Sequence, residues 1–304
     1  MDFAESILKN FLNLYWLRPE TALWRTLDVM KMKNIQFINP ILDVGCGDGS
    51  FTFTHLSGKT SYSFDVYSTI SETNQFFDGK DIHNQSTNIK PTIIRKATQI
   101  HSGMDWKKNL LDKAENFDLY ENLIQHDLNK KFPKFKIKYK TIFSNILYWL
   151  KDPSFTLSQI SEILDDNGKI ILFLPDKKFK NYLIYSEYLN NHQKWAKILD
   201  RGIHNNIQHC YSHKIWKQIF SNCNLKIEKH STHLSKSFIK FWSIGLRPYS
   251  PYLIEMANKI SLSEKTKIKK RLITELYPLF RSYIEYELNS KTNSNCFHMY
   301  VLKK

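Results

Sequence analysis

Glycine stands at alternate positions through Gly45-Cys46-Gly47-Asp48-Gly49, directly after the apolar run Ile41-Leu42-Asp43-Val44. Glycine is needed where φ is positive or where a ligand must meet the backbone. Three of the chain's nine glycines fall within these five residues, which marks a ligand loop. A phosphate loop of the G-x-x-x-x-G-K-[ST] kind is excluded, because Ser50 follows without its lysine. A dinucleotide loop wants G-x-G-x-x-G, whereas the spacing here is G-x-G-x-G. Asp43 precedes the turn, and a fixed carboxylate opposes a pyrophosphate but favours an amino group or a sulfonium. The chemistry predicted is binding of a cationic nucleoside.

Proton-handling residues are more scattered. His126, Tyr148, His209 and His213 are the candidate catalytic groups, with Tyr211 as a pocket-shaping neighbour, and none is singled out as a base. His209 and His213 are four apart, which on a helix would put both on one face. No carboxylate completes a metal signature around them, so no metal is expected. Tyr148 and Trp149, beside Asn145, suit cation–π contact with a sulfonium.

These residues need elements to position them. Residues 1–34 read as two helices, the second opening at Pro19-Glu20 and burying Leu23, Leu27 and Met30. Strands are predicted over Ile41–Val44, Ser61–Val66, Asn122–His126, Lys140–Ile146 and Lys169–Leu174, with helices at Phe51–Leu56 and from Pro153 to Leu164. Residues 66–90 are polar and irregular, a candidate substrate lid, and 91–114 read as partly helical. Beyond Pro175 the expectation is helix over Tyr182–Ile198, loop over His204–Ser212, helix over Lys214–Cys223 and strand over Leu225–His230. Residues 236–290 read as helical and basic, with a stripe of Ile268, Leu272, Leu276, Phe280 and Ile284 that Pro278 should kink or break. Cys296–Leu302 closes the chain as a strand. Strands alternating with helices argue for an α/β fold with a mostly parallel sheet.

Composition bounds the partners. The 304 residues carry 44 basic and 29 acidic side chains, a net charge of +15 that favours something anionic: nucleic acid, a membrane surface or an acidic metabolite. Four widely spaced cysteines form neither a disulfide framework nor a zinc ribbon, and fit a reducing cytoplasm. Asp2 and Glu5 are unlike a secretory signal, and no apolar run reaches the ~18 residues of a membrane span. A soluble, cytoplasmic protein is expected.

The segment Asp43-Val44-Gly45-Cys46-Gly47-Asp48-Gly49 resembles the first motif of class I S-adenosylmethionine-dependent methyltransferases. His126-Asp127-Leu128 is similar to their acidic adenine loop, Thr141–Pro153 to their fourth-strand motif, and Ile163–Ile170 to their turn into strand five. The resemblance implies a Rossmann-like fold with a seven-stranded sheet and S-adenosylmethionine as cofactor, released as S-adenosylhomocysteine. It also implies a cofactor site made of Asp43, Gly45, Cys46, Gly47, Gly49, Asp65, Val66, Asp127, Leu128 and Asn145, in which Asp65 holds the ribose. The gap from Asp65 to Asp127 exceeds the family's usual spacing, which places an insertion between them. Tyr15–Trp24 and Gly245-Leu246-Arg247-Pro248 resemble bacterial methyltransferases of the type-11-like group, some of which accompany surface-glycan synthesis.

The expected organisation is one methyltransferase domain over 1–304. Residues 1–39 supply N-terminal helices, 40–235 and 291–304 the core, and 236–290 a helical insertion. The expected acceptor is a small molecule, a sugar or a lipid-linked glycan. An RNA acceptor is the alternative, supported by charge and by Lys265, Lys267, Lys269, Lys270 and Arg271, as is a non-catalytic partner-binding protein of the same fold.

Overall fold

A computed structural model describes residues 3–70, 89–200, 202–246, 249–289 and 294–304. Two helices come first, α1 (Phe3–Leu14) and α2 (Pro19–Met32). Strand β1 (Ile41–Val44) is buried at all four positions, as a strand covered on both faces must be. The glycine turn leads into α3 (Ser50–His55), then a small antiparallel ribbon of β2 (Lys59–Thr60) and β3 (Ile93–Arg95). Next come β4 (Ile100–Asp105), α4 (Lys108–Glu115), β5 (Tyr120–Gln125), β6 (Tyr139–Ser144), α5 (Pro153–Ile163) and β7 (Leu164–Pro175). Four short helices follow: α6 (Phe179–Tyr182), α7 (Ser186–Asn190), α8 (Lys194–Asp200) and α9 (Ile203–Asn206). The chain ends with α10 (His213–Asn222), β8 (Lys226–His233), α11 (Lys236–Ile244), α12 (Ser250–Asn258), α13 (Leu262–Asn289) and β9 (Phe297–Lys303).

The seven-stranded sheet runs β5-β4-β1-β6-β7-β9-β8, parallel except for β9, which is antiparallel to both its neighbours. From β1 the chain steps outward to β4 and β5, then crosses back to β6 on the other side. That reversal opens a crevice outside the carboxyl ends of β1 and β6, where open α/β sheets bind ligands. Helix α13 packs across α1 and α2, so these three roof one side of the sheet. Trp24 of α2 anchors the roof, edge-on to Phe179, Phe238, Trp242 and Phe297.

Two expectations are corrected here. The segment Ser61–Val66 is not a strand of the sheet. Ser61 caps its own turn, accepting from the Ser63 amide, and Asp65 starts a 3-10 turn over Val66–Thr69. The neighbour of β1 is instead β4, with Leu42 opposite Ser102 and Val44 opposite Met104, in a stretch expected to be partly helical. The insertion therefore precedes the second strand rather than following it. Most of the candidate lid, residues 71–88, lies outside the described residues, as do Arg247 and Pro248.

Helix α13 also departs from its expected stripe. Its first half buries Lys265, Lys269 and Ile273, while Ile268 is exposed, and Phe280 and Ile284 carry the second half. The helix runs through Pro278 without a break. Pro278 lies on the exposed side, where water can satisfy the carbonyl it leaves unpaired.

Candidate functional site

The glycine turn leaves β1 with Gly45, Gly47 and Gly49 at φ values of +78°, +57° and +75°. Each lies in the left-handed region, which costs other residues roughly 1–2 kcal/mol. Their surroundings differ. A Cβ on Gly45 would stand 2.2 Å from Cγ1 of Ile146, and one on Gly49 3.1 Å from the Tyr120 ring. A Cβ on Gly47 would meet nothing within 4 Å. Gly45 and Gly49 thus serve packing, and Gly47 faces the open side of the crevice.

Carboxylates line the floor beneath the turn. Asp43 Oδ2 accepts from Thr52 Oγ1 (2.6 Å) and the Tyr120 hydroxyl (2.8 Å). Burial raises its pKa to about 6 against those two bonds, and Asp105 adds to the rise. Asp48 accepts from the amide and hydroxyl of Ser50, which fixes the start of α3. Burial and the neighbouring Asp43, Asp105 and Asp48 push the Cys46 thiol well above its ordinary range, so it stays protonated.

Asp105, at the carboxyl end of β4, was not among the expected site residues. Its Oδ2 accepts from the Gly47 amide (3.0 Å) and its Oδ1 from the Lys107 amide (3.0 Å). Asp65 stands elsewhere. It is buried under the roof, with Oδ1 accepting from Trp16 Nε1 (2.9 Å) and Oδ2 3.2 Å from Lys265 Nζ. Val66 lies in the following 3-10 turn and packs on the same small apolar cluster. The acid at the end of the strand beside β1 is therefore Asp105, not Asp65.

The crevice's other wall comes from the segments after β5 and β6. Asp127 follows β5 on the surface, its Oδ1 accepting from the Asn129 amide and side chain. Leu128 is buried and its carbonyl accepts from Thr156. Asn145 follows β6, and its buried Oδ1 has no hydrogen-bond partner among the described residues.

A family model for the methyltransferase domain matches residues 32–230, from the end of α2 through most of β8. The chain belongs to that family. With the sheet order above, it is a class I S-adenosylmethionine-dependent methyltransferase. Curated relatives include two Dictyostelium discoideum proteins, Probable polyketide synthase 26, 24% identical over 74% of this chain, and Probable polyketide synthase 10, 28% identical over 40%. The chain spans only 8% and 5% of their lengths. Among solved structures it is similar to the plantazolicin methyltransferase BamL, solved with a triazolic desmethylPZN analog and SAH, at 13% identity and a TM-score of 0.46, covering 99% of this chain and 97% of that one. An S-adenosylmethionine-dependent methyltransferase from Clostridium acetobutylicum matches at 10% identity and a TM-score of 0.42, covering 92% and 90%.

The crevice of this methyltransferase is chemically suited to its cofactor. Open space at Gly47, an unpartnered acceptor at Asn145 and carboxylates at Asp43 and Asp105 match a nucleoside with hydroxyl donors and a cationic centre. The candidate proton acceptors are less well placed. His209 has both nitrogens engaged, Nε2 at 2.8 Å from the Leu150 carbonyl and Nδ1 at 2.6 Å from the Tyr211 hydroxyl. The carbonyl can only accept, so Nε2 carries a proton and donates it there.

His213 turns away, opening α10 and bonding the Tyr300 hydroxyl at 3.0 Å, so the pair does not share a face. His126 is on the surface, against the Lys130 carbonyl and Phe132. Tyr148 is buried beside Arg25 and Asp28, and burial raises its pKa, leaving it a hydrogen-bond donor. Trp149, which edges onto Tyr148, is exposed. No group of three metal-ligating side chains occurs among the described residues.

Proposed function

We propose that this methyltransferase acts on a small-molecule, sugar or lipid-linked glycan acceptor, within one domain in which 1–39 and 236–290 roof the core of 40–235 and 291–304. The observation carrying this reading is the roof itself: α1, α2 and α13 pack together, with α1 against α3 beside the glycine turn, and a covered site of that kind suits a compact acceptor. The stripe that favoured RNA is correspondingly weaker. Lys265 and Lys269 are buried against Asp65 and the Phe64 carbonyl, and Arg271 pairs with Glu275 on its own helix. The four free cysteines favour a cytoplasmic setting.

S-adenosylmethionine brings a methyl group already activated on a sulfonium. The chain's residues then bind, orient and exclude water. In this reading Gly47 admits the ligand to the backbone, with Gly45, Cys46 and Gly49 shaping the turn. Asp105 accepts from the ribose hydroxyls, Asp127 and Leu128 meet the adenine, and Asp43 and Asn145 face the amino-acid end. Asp65 and Val66 belong to the roof. Tyr148 donates to the acceptor, and His209 holds the Tyr148–Leu150 segment in place through its bond to Leu150.

The test is binding followed by transfer. S-adenosylhomocysteine at ~100 times its dissociation constant should stabilise the protein by about 2.7 kcal/mol in thermal unfolding. Absence of any shift, with no heat of binding, overturns the cofactor site. Label from methyl-tritiated S-adenosylmethionine should enter the small-molecule and lipid fractions of an extract. Label confined to RNA reverses the choice of acceptor.

A further inference from the structure

Helix α2 carries two arginines on one face, Arg18 at its start and Arg25 two turns later, about 10.5 Å along the axis. Arg25 reaches the methyl-transfer crevice. Its guanidinium lies 5.4 Å from the ring of Phe51, in the first turn after the glycine loop. Phe51 stacks on Phe143 of β6, centroids 5.6 Å apart and planes 8° from parallel, two residues before Asn145. Tyr15, Asp28 and Tyr148 stand close enough to act on the same charge.

The root of Arg25 is fixed. Asp28, one turn on and fully buried, has Oδ1 2.8 Å from Nε2 of His233 on β8 and Oδ2 3.5 Å from Arg25 Nη1. This clamp ties α2 to the sheet, yet 34% of the Arg25 side chain remains accessible. A guanidinium offers five donors in a planar fork, and the contact to Asp28 is long and uses one. Arg18 lies 6.0 Å from the ring of Tyr15 and donates to the Tyr67 hydroxyl at 3.2 Å, and Glu20 is close enough to act on its charge. Carboxylates at Asp43, Asp48 and Asp105 thus gather at the glycine turn, while the helix beside Phe51 bears a guanidinium at Arg25 and a second, by Tyr15 and Tyr67, at Arg18.

We propose that the methyl acceptor carries an oxyanion, a carboxylate or a phosphate, bound by the Arg25 fork opposite the acidic donor floor, with Arg18 extending the positive roof. This rests on the reading of the crevice as a methyl-transfer site and names the chemical class of acceptor it takes. A planar oxyanion matches the free edge of the fork with two parallel bonds, which neither a neutral sugar nor an amine offers. The arrangement also sorts charge by position: the cationic donor over carboxylates, the anionic acceptor under arginine.

The experiment saturates the full chain with S-adenosylhomocysteine and then titrates benzoate, phenyl phosphate and benzamide by calorimetry. One of the two anions should bind at millimolar concentration or below while benzamide does not, and whichever binds identifies carboxylate or phosphate. Arg25→Gln should weaken that anion about tenfold or more. Arg25→Lys, which keeps the charge and loses the fork, should weaken it less. Both variants should bind S-adenosylhomocysteine within about twofold of wild type, a readout that also reports an intact fold. Binding of neither anion, equal binding of benzamide, or an Arg25→Gln variant indistinguishable from wild type overturns the proposal. Failure of wild type to bind S-adenosylhomocysteine overturns instead the reading of the site on which the proposal rests.

Discussion

The glycine turn separates two roles that one residue type hides, and substitution should separate them again. Gly47→Val points a side chain into open space, so S-adenosylhomocysteine affinity should fall by a large factor while stability drops only by the left-handed cost of about 1–2 kcal/mol. Gly45→Ala should do the reverse. Its methyl collides with Ile146, adding about 1–3 kcal/mol of overpacking to the backbone cost, and Ile146→Ala in the same chain should recover part of the loss. Calorimetry and denaturant unfolding of the three variants check both. Equal affinity loss in Gly45→Ala and Gly47→Val would show that the turn does not divide this way. The two acids divide similarly. Asp105→Asn should weaken S-adenosylhomocysteine by roughly 10- to 100-fold, the worth of a charged hydrogen bond, with little change in stability. Asp65→Asn leaves Lys265 and Lys269 buried without their carboxylate, and should cost about 3–5 kcal/mol of stability while affinity holds. Burial already lowers Lys269 to about 8 against the pull of Asp65, so the loss should deepen as pH falls and that lysine is forced to charge.

At the scale of elements, the roof depends on how α2 is seated. Trp24 meets four aromatic rings from α6, α11 and β9, and Trp24→Ala should cost about 3–5 kcal/mol in unfolding by denaturant. A cost under about 1 kcal/mol would mean the roof is held by α13 alone. Strands β1, β6 and β7 were legible because burial on both faces makes them nearly continuous apolar runs. Strand β4 was not, because His101-Ser102-Gly103 breaks the apolar run. Gly103 stands where a Cβ would lie 2.8 Å from the Tyr120 ring, a need set by tertiary packing and invisible to local pattern. A signal was present nonetheless: Asp105 lies twenty-two residues before Asp127, the same separation as between Asp43 and Asp65. The stripe of α13 misled for a related reason. Lys265 and Lys269 occupy buried positions that hydrophobicity assigns to solvent, and their partners Asp65 and Phe64 sit about two hundred residues away. The Asp28–His233 clamp is equally remote in sequence, so Arg25 carried no mark of its role.

For the molecule as a whole, two buried groups pull its acid stability in opposite directions, and their effects can be separated. His55, the last residue of α3, has neither ring nitrogen hydrogen-bonded among the described residues, and burial lowers its pKa from 6.5 to about 4. The unfolded chain therefore binds more protons than the folded one through that window, and the His55 contribution is full above pH 6.5 and lost as pH falls towards 4. Asp43 behaves oppositely. Its pKa is raised from 3.8 to about 6, so its contribution is full below pH 3.8 and lost as pH rises through 6. At about 1.4 kcal/mol per pKa unit each effect reaches roughly 3 kcal/mol, and in the ligand-free wild type they nearly cancel between pH 4 and 6. His55→Phe keeps the ring against Phe37, 4.6 Å away, and removes the rising limb, so its stability relative to wild type should decline steadily from pH 4 to 6. Asp43→Asn keeps an acceptor for Thr52 and Tyr120 and removes the falling limb, so its advantage should grow over the same range. Taking each variant as a difference from wild type cancels the other carboxylates, which titrate alike in both. Parallel pH profiles for the two variants would mean that neither group is perturbed by its burial, and that the acidic floor meets its ligand already ionised.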